Sequence, residues 1–284
     1  MDRIDRLLAK GRTVSFEFMP PKDEDERARL TRTIVELAPL RPSFVSVTYR
    51  GGRASRERTT HVVRDLVPTS LTPMPHLTCV AHTRFELGEI MGGFRALGLE
   101  NLLALGGDPL PDEAHHQELR HASELVELAR RTGFESIGVA AHPAGHPKSP
   151  DLRSDRRYLA EKLAMADFAI TQFFFKVEEY VRLRDELAAL GIHKPIVAGI
   201  MPITSLASVQ RMAELSGYAV PADIVERVLA GGDDHEEVRR RGIEVLVGLC
   251  RDLIAADVAG LHFYTLNFSK ATREVCSELG FVAA

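Results

Sequence analysis

The feature that most constrains the fold is the alternation of short apolar runs with longer amphipathic segments along the whole chain. Runs of this kind are typical of strands buried on both faces of a parallel sheet. The segments between them carry apolar residues at helical spacing. The eight runs are Thr13–Met19, Phe44–Tyr49, His76–Val80, Asn101–Leu105, Ser136–Ala141, Phe168–Phe175, Pro195–Met201 and Gly260–Leu266. Eight strand and helix repeats predict an α/β protein built as a (β/α)8 TIM barrel.

Three further helices complete this predicted architecture. A leading helix over Arg3–Ala9 is expected to cover the bottom of the barrel. Two extra helices, at Tyr218–Gly232 and Asp233–Ala256, are predicted between the seventh and eighth strands. Residues 1–284 are expected to form one catalytic domain, because no stretch has the composition of a linker.

Composition excludes several classes of protein. The formal net charge is -4, and no basic stripe with interleaved aromatic residues predicts nucleic-acid binding. We expect a cytoplasmic protein without membrane contact, because the chain shows no signal peptide and no apolar run of spanning length. The three cysteines, Cys79, Cys250 and Cys276, lack metal-ligand spacing and are expected to be reduced. The absence of an obvious exposed apolar stripe slightly favours a monomer, and a homo-oligomer stays open.

Glu17 is the candidate acid of the first predicted strand. It alternates with Phe16 and Phe18, and Pro20 follows shortly after it. We expect the neighbouring Phe side chains to desolvate the carboxyl group, which disfavours its charged form and suits it to donate a proton. The alternative is a Glu on an edge strand that faces water.

Barrel enzymes place their chemistry at the C-terminal ends of the strands, so the residues found there are the candidates for a site. They are Glu17, Thr48, Tyr49, Gly106, Gly107, Asp108, His142, Gln172 and Tyr264. Carboxylates, an amide, a phenol and a hydroxyl at one mouth suit a polar heterocycle. We expect no metal, even though His142 and His146 share a proline-rich loop, because no pair of His and acidic residues has a ligand pattern. We expect His115, His116 and His121 to be solvated.

Seven ordered motifs then resemble the methylenetetrahydrofolate reductase family across nearly the whole chain. They are Ser15–Pro21, Val47–Tyr49, Pro75–Cys79, Ala104–Asp108, Ile170–Phe175, Gly199–Pro202 and His262–Asn267. The resemblance implies a barrel that reduces 5,10-methylenetetrahydrofolate to 5-methyltetrahydrofolate with a nicotinamide nucleotide, in the one-carbon metabolism that feeds methionine synthesis.

The same resemblance implies roles for individual residues. Glu17 is similar to the general acid that opens the imidazolidine ring to an iminium ion, and Asp108 to the carboxylate that binds the pterin. Gln172 is similar to the amide partner of Asp108, and Met212, Tyr264 and Leu266 also match substrate positions. The positions that match cofactor contacts are Thr48, His76, Gly107, Ala140, His142, His146, Asp155 and Lys162.

The cofactor is the point where the sequence departs from the family, whose members usually carry FAD. Gly106 stands where the family has Arg, His142 stands where it has Tyr, and the turn before Phe168 is shorter and lacks a Gly. We therefore expect NADH or NADPH to reduce the substrate directly, with an ordinary FAD-dependent reductase as the alternative. Phe268 replaces a frequent Arg, which leaves the choice between NADH and NADPH open.

Two other functions remain as alternatives. Lys176 follows the sixth strand, where an aldolase could form a Schiff base, although a solvated lysine at a helix start is the simpler interpretation. A folate-binding barrel without catalytic activity is the other alternative.

Overall fold

Eight parallel strands form a closed barrel in which every strand pairs with its neighbours in sequence and β1 pairs with β8. The computed structural model describes residues 1–49, 52–108, 117–217, 219–232 and 234–281, except for the side chains of Arg53, Ala54, Met212, Leu215 and Ser216. The strands are β1 Thr13–Phe18, β2 Phe44–Val47, β3 Pro73–Thr78, β4 Asn101–Leu105, β5 Ser136–Ala141, β6 Phe168–Thr171, β7 Ile196–Ile200 and β8 Gly260–Tyr264. The predicted (β/α)8 barrel is confirmed.

Two strand boundaries differ from the predicted ones by three residues or more. β3 begins at Pro73 rather than His76, although proline donates no ladder hydrogen bond. Pairing between β3 and β4 begins only at His76, so the prolines remove no bond to β4. β6 ends at Thr171, and the phenylalanines that follow it form a loop packed in the hydrophobic core.

Helices alternate with the strands around the barrel. They are α1 Ile4–Lys10, α2 Glu24–Leu37, α3 Arg53–Leu66, α4 Arg84–Ala96, α5 Ala122–Arg131, α6 Leu152–Met165, α7 Val177–Ala189, α8 Leu206–Ser216, α9 Ala222–Leu229, α10 His235–Ala255 and α11 Lys270–Glu278, with a 3₁₀ turn at Ala38–Leu40. Within the described residues, no helix combines the length and apolar character needed to cross a membrane.

The predicted extra helices lie between β7 and β8 as α8, α9 and α10. Tyr218 and Asp233, which begin the two predicted segments, lie outside the described residues. α10 contacts both α7 and α11, so it fills the ordinary place in the outer ring. With three described helices between β7 and β8, two are extra to the strand and helix repeat, as predicted, and the two predicted segments contain α9 and α10.

The leading helix α1 closes the bottom of the barrel, as expected. Ile4 and Leu8 are buried against the inward side chains at the lower end of the strands. Asn101 at the start of β4 accepts a hydrogen bond from the Ile4 N–H at 2.9 Å and donates one to the Asp2 carbonyl at 2.9 Å. This amide therefore holds α1 to the sheet.

The short turn before Phe168 lies at the same bottom end. It joins the end of α6 to the start of β6, and a helix-to-strand turn of a barrel lies opposite the mouth. Asp167 accepts hydrogen bonds there from the Ile137 N–H at 2.7 Å and from Arg130 at 2.6 Å. Our expectation that this turn shapes the cofactor site was therefore wrong.

We predict that Asn101→Ala destabilises the fold by about 2 kcal/mol, because the buried Ile4 N–H and Asp2 carbonyl each lose a partner. Urea unfolding would measure the change. Glu100→Ala, at the neighbouring and partly exposed position, is the control. Equal midpoints for the two variants would show that the amide does not hold α1.

Candidate active site

Glu17 points into the barrel from the C-terminal part of β1. Its Oε2 lies 3.6 Å from Nε2 of His76 on β3 and 3.7 Å from Nε2 of His262 on β8. The Glu17 side chain is 15% exposed, so water reaches it from the mouth. Phe16 and Phe18 point to the opposite face and pack in the outer core, so the expected desolvation by Phe side chains was wrong.

His76 is a buried imidazole that stays neutral near pH 7. Burial removes its hydration and lowers the pKa from 6.5 to about 4, against the opposing effect of the Glu17 charge. Its Nε2 has no hydrogen-bond partner among the described residues. A buried nitrogen aimed at a carboxyl group is typical of a site that completes its hydrogen bonds with a ligand or a proton.

His262 is the functional candidate that we missed. Its Nδ1 lies 2.8 Å from Oγ of Ser15, and its Nε2 lies 3.3 Å from Oγ of Ser46. The ring stacks on Phe44 with the centroids 5.8 Å apart. The signal was present in the sequence, because His262 alternates with Tyr264 and therefore shares its inward face.

Tyr264 is fixed in place by β6 and β7. Its hydroxyl donates a hydrogen bond to the Thr171 carbonyl at 2.6 Å, and burial, with the nearby charge of Glu17, raises its pKa well above 10. A Cβ at Gly199 would lie 2.7 Å from this hydroxyl and 2.2 Å from the Thr171 carbonyl. Glycine at that position makes room for the phenol.

A turn after β8 ties the ends of β8 and β1 together. The Thr265 hydroxyl donates to the Glu17 carbonyl at 2.6 Å. The Asn267 side chain accepts from the Met19 N–H at 2.9 Å and donates to its carbonyl at 2.8 Å. Leu266 has a φ of 52° in this turn, and its side chain packs against the core. The turn therefore fixes the backbone that carries Glu17.

A second cluster lies in the loop between β5 and α6. One oxygen of buried Asp155 accepts hydrogen bonds from the His146 N–H at 2.8 Å and from the Ser149 hydroxyl at 3.1 Å. Its other oxygen accepts from Arg156 at 2.8 Å. Arg156, itself buried, also donates to the carbonyls of His142 and Pro143. Asp155 and Arg156 therefore build the loop.

The imidazoles of His142 and His146 meet edge to face, with centroids 4.6 Å apart. Burial lowers the pKa of His142 to about 4 and also lowers that of His146. Lys162 donates to the Ala140 carbonyl at 2.7 Å, and its burial lowers the ammonium pKa to about 8. Three of the predicted cofactor residues, His142, His146 and Lys162, therefore direct their side chains at other groups of the protein.

The remaining candidates lie around the mouth at the strand ends. Asp108 is exposed after β4, and Gly107 before it has a φ of 83° and a Cβ position only 2.8 Å from Val80. Gln172 follows β6, and Thr48 follows β2 with its N–H bonded to the Phe18 carbonyl at 3.0 Å. Met212 lies in α8, and its side chain is outside the described part, as are His115 and His116.

The Schiff-base alternative loses support from this arrangement. Lys176 is half-exposed at the start of α7 and lies 3.4 Å from Asp223 at the surface, so it is not placed as a Schiff-base lysine. In the described ranges, no three His, Cys, Asp or Glu side chains are grouped as metal ligands.

Two comparisons of the sequence with known proteins agree on one family, and a comparison of structures agrees on the fold. The sequence model of methylenetetrahydrofolate reductase matches residues 3–280. The 5,10-methylenetetrahydrofolate reductase of Pectobacterium carotovorum is 37% identical over 94% of this chain and 90% of its own. The 5,10-methylenetetrahydrofolate reductase of Escherichia coli K12 is 36% identical over 98% of this chain and 95% of its own. A Clostridium thermocellum structure, titled as an uncharacterized protein that binds two copies of 5-methyl-5,6,7,8-tetrahydrofolic acid, has a TM-score of 0.72 at 11% identity and covers 96% of each chain.

We predict that His76→Gln flattens the loss of stability in acid. Because folding lowers the His76 pKa from 6.5 to about 4, the unfolded chain binds a proton in this range that the native protein does not. The contribution of the buried neutral His76 to the free energy of unfolding, at most about 3 kcal/mol, is present above pH 6.5 and lost as the pH falls toward 4. Urea midpoints across this range measure the slope. The exposed His61→Gln is the control, and equal slopes for both variants would contradict the prediction.

Proposed function

We propose, because this chain belongs to the methylenetetrahydrofolate reductase family, that it reduces 5,10-methylenetetrahydrofolate by direct hydride transfer from NADH or NADPH, without flavin. The observation that carries the flavin-free part is the state of the positions that match flavin contacts. Gly106 stands where the family has Arg, so a cationic side chain is missing there. Asp155 and Lys162 use their polar atoms in hydrogen bonds within the protein. We further propose that residues 1–284 act as one catalytic domain on these small molecules, as a monomer.

Glu17 is the proposed general acid. It lies at the inner end of the mouth, where a folate entering from above meets its carboxyl group. A proton donated to a nitrogen of the imidazolidine ring opens that ring and leaves an iminium carbon that accepts hydride. The Nε2 atoms of His76 and His262 flank the carboxyl group at 3.6 and 3.7 Å, and the neutral His76 imidazole adds no charge beside it.

Asp108 and Gln172 are the proposed pterin contacts. Asp108 is exposed at the rim, where an ionised carboxylate can accept hydrogen bonds from the amino-pyrimidinone edge. Its charge also stabilises a developing iminium cation. Gln172 follows β6 on the inward face, and its Oε1 accepts from the Phe173 N–H at 3.1 Å, which leaves its amide hydrogens for a ligand. Tyr264 and Leu266 lie on the β8 side of the same mouth.

FAD requires donors and cations for its diphosphate, and this chain supplies them poorly. Gly106 carries no side chain, and a Cβ there would have no heavy atom within 4 Å. Asp155 already accepts three hydrogen bonds, and Lys162 is directed at the Ala140 carbonyl. These retained residues support the loop between β5 and α6 whether or not a flavin binds.

Direct transfer requires both substrates in the mouth together. Hydride passes between two carbon atoms only when they are brought close in a site that excludes water. The open space beside Gly106 and the smaller ring at His142 leave room for a nicotinamide where the family has Arg and Tyr. Thr48 and His76 are the proposed contacts on the opposite side of the mouth.

We predict that Glu17→Gln binds folate but loses turnover by about 10²–10⁴-fold, because the amide keeps the shape and lacks the proton. Steady-state rates and folate titration measure the two effects separately. Glu24→Gln, exposed at the start of α2, is the control. Wild-type turnover in Glu17→Gln would remove Glu17 as the acid.

We predict that initial rates measured at varied concentrations of both substrates give intersecting double-reciprocal lines, as a ternary complex requires. A shuttling flavin gives parallel lines instead, because the first product leaves before the second substrate binds. Purified protein containing stoichiometric FAD that NADH reduces before folate is added would contradict the proposal.

The matched variant for this test is Gly106→Arg. Position 106 has free space and no left-handed backbone, so the side chain fits without strain. We expect the new guanidinium to tighten FAD binding by about tenfold, the size of one charge-assisted hydrogen bond. Gly92→Arg on helix α4, which also has free space, is the control. Flavin fluorescence titration measures both.

A further inference from the structure

We propose that the cleft between the starts of α3 and α4 binds the adenosine end of NADH and selects NADH over NADPH. The inference rests on the proposed hydride transfer from a nicotinamide nucleotide, and it adds where the rest of that nucleotide lies. The cleft has a volume of about 760 Å³, which is within the range of small-molecule sites. Its lining residues are Arg56, Glu57, Thr83, Phe85, Glu86 and Glu89.

The cleft adjoins the side of the mouth where the nicotinamide is proposed to bind. α3 follows β2 and α4 follows β3, and the helices that follow barrel strands begin at the mouth. In the loops after these strands, the Tyr49 hydroxyl is hydrogen-bonded to Nε2 of His82, and the two rings stack with their centroids 5.8 Å apart. A dinucleotide whose nicotinamide lies beside Thr48 and His76 therefore reaches the cleft by passing over this pair.

Phe85 is the proposed stacking surface for adenine. Its side chain is 76% exposed in the first turn of α4, on the wall of the cleft. A single exposed apolar residue is ordinary, but an aromatic face inside a cleft offers a stacking surface to a base. The Glu86 carboxylate accepts hydrogen bonds from the Thr83 N–H at 2.8 Å and from the Thr83 hydroxyl at 3.0 Å. This cap fixes the backbone that carries Phe85 before any ligand binds.

The charges of the cleft distinguish the two nicotinamide nucleotides. Glu57 and Glu89 are exposed carboxylates, which accept hydrogen bonds from ribose hydroxyls. The 2′-phosphate of NADPH would instead meet these carboxylates with like charge, which disfavours binding. Arg56 lines the same cleft and supplies a guanidinium for the diphosphate. The cleft therefore suits the adenosine of NADH.

Other parts of the reacting molecules fit this cleft less well or share its chemistry. The glutamate tail of a folate is anionic, so Glu57 and Glu89 disfavour it, whereas adenosine is neutral. FAD carries the same adenosine as NADH. The binding experiments must therefore measure NADH and FAD separately.

The first test compares NADH with reduced nicotinamide mononucleotide, which has the same nicotinamide ring and no adenosine. In Phe85→Ala we expect the Kd of NADH to rise about tenfold, the loss of one stack between a base and an aromatic ring. The Kd of reduced nicotinamide mononucleotide and that of folate are expected to stay at their wild-type values. Nucleotide fluorescence titration measures the first two, and Tyr158→Ala, at an exposed aromatic residue on α6, is the control.

The second test concerns the carboxylates. In the double variant Glu57→Gln and Glu89→Gln, we expect the ratio of kcat/KM for NADPH to kcat/KM for NADH to rise about tenfold, because the like charges that face the 2′-phosphate are removed. Glu161→Gln, at an exposed carboxylate on α6, is the control and is expected to leave the ratio unchanged.

Three results would overturn the inference. They are an unchanged Kd of NADH in Phe85→Ala, an equal loss of affinity for reduced nicotinamide mononucleotide, and a loss of affinity for FAD alone. The double-reciprocal lines decide the proposed function separately. Intersecting lines with an unchanged Kd of NADH in Phe85→Ala would remove only the cleft. Parallel lines with the tenfold rise in that Kd would keep the cleft as the NADH site and remove direct transfer.

Discussion

The closed barrel depends on one constraint, the alternation of side chains between its two faces in every strand. Phe16 and Phe18 on β1 pack outward against the helices, so Ser15 and Glu17 must point inward. On β8 the same rule turns Phe263 outward and His262 and Tyr264 inward. Because Glu17 pairs with Tyr264 and Ser15 with His262 in the register of these strands, the polar cluster follows directly from the pairing. A shift of one residue would place the acid in the outer core.

This constraint explains how much of the molecule the sequence could predict. The strands and most helices follow from apolar runs and helical spacing, and α1 was expected at the bottom. Errors arose where tertiary packing decides. β3 starts at Pro73, before the predicted His76, because Pro73, Met74 and Pro75 pair with β2. The role of His262 depends on which residues of β1 and β2 lie beside it, and that requires the strand register.

The cofactor positions show why matching a family motif does not by itself assign a ligand. Asp155 and Lys162 stand where the family contacts its flavin, yet here they hold a loop and a carbonyl. A buried carboxylate with three donors is costly to remove even when no ligand binds, since each donor would lose its partner. Such residues persist for structural reasons. Gly106 carries more information about the cofactor, because a side chain at this position would meet no heavy atom within 4 Å.

The two proposed catalytic carboxyl groups differ in the way that their tasks require. Glu17 must deliver a proton to the folate, and it lies within the barrel wall, with the imidazoles of His76 and His262 3.6 and 3.7 Å from its Oε2. Asp108 must accept hydrogen bonds from the pterin beside a developing cation, and it lies at the exposed rim, where a ligand can reach it. The barrel provides both environments because its strands deliver one side chain from within the wall and the loop after β4 delivers the other from above. Exchanging the two acids between these positions would therefore remove both functions, even though the residue types in the mouth would remain the same.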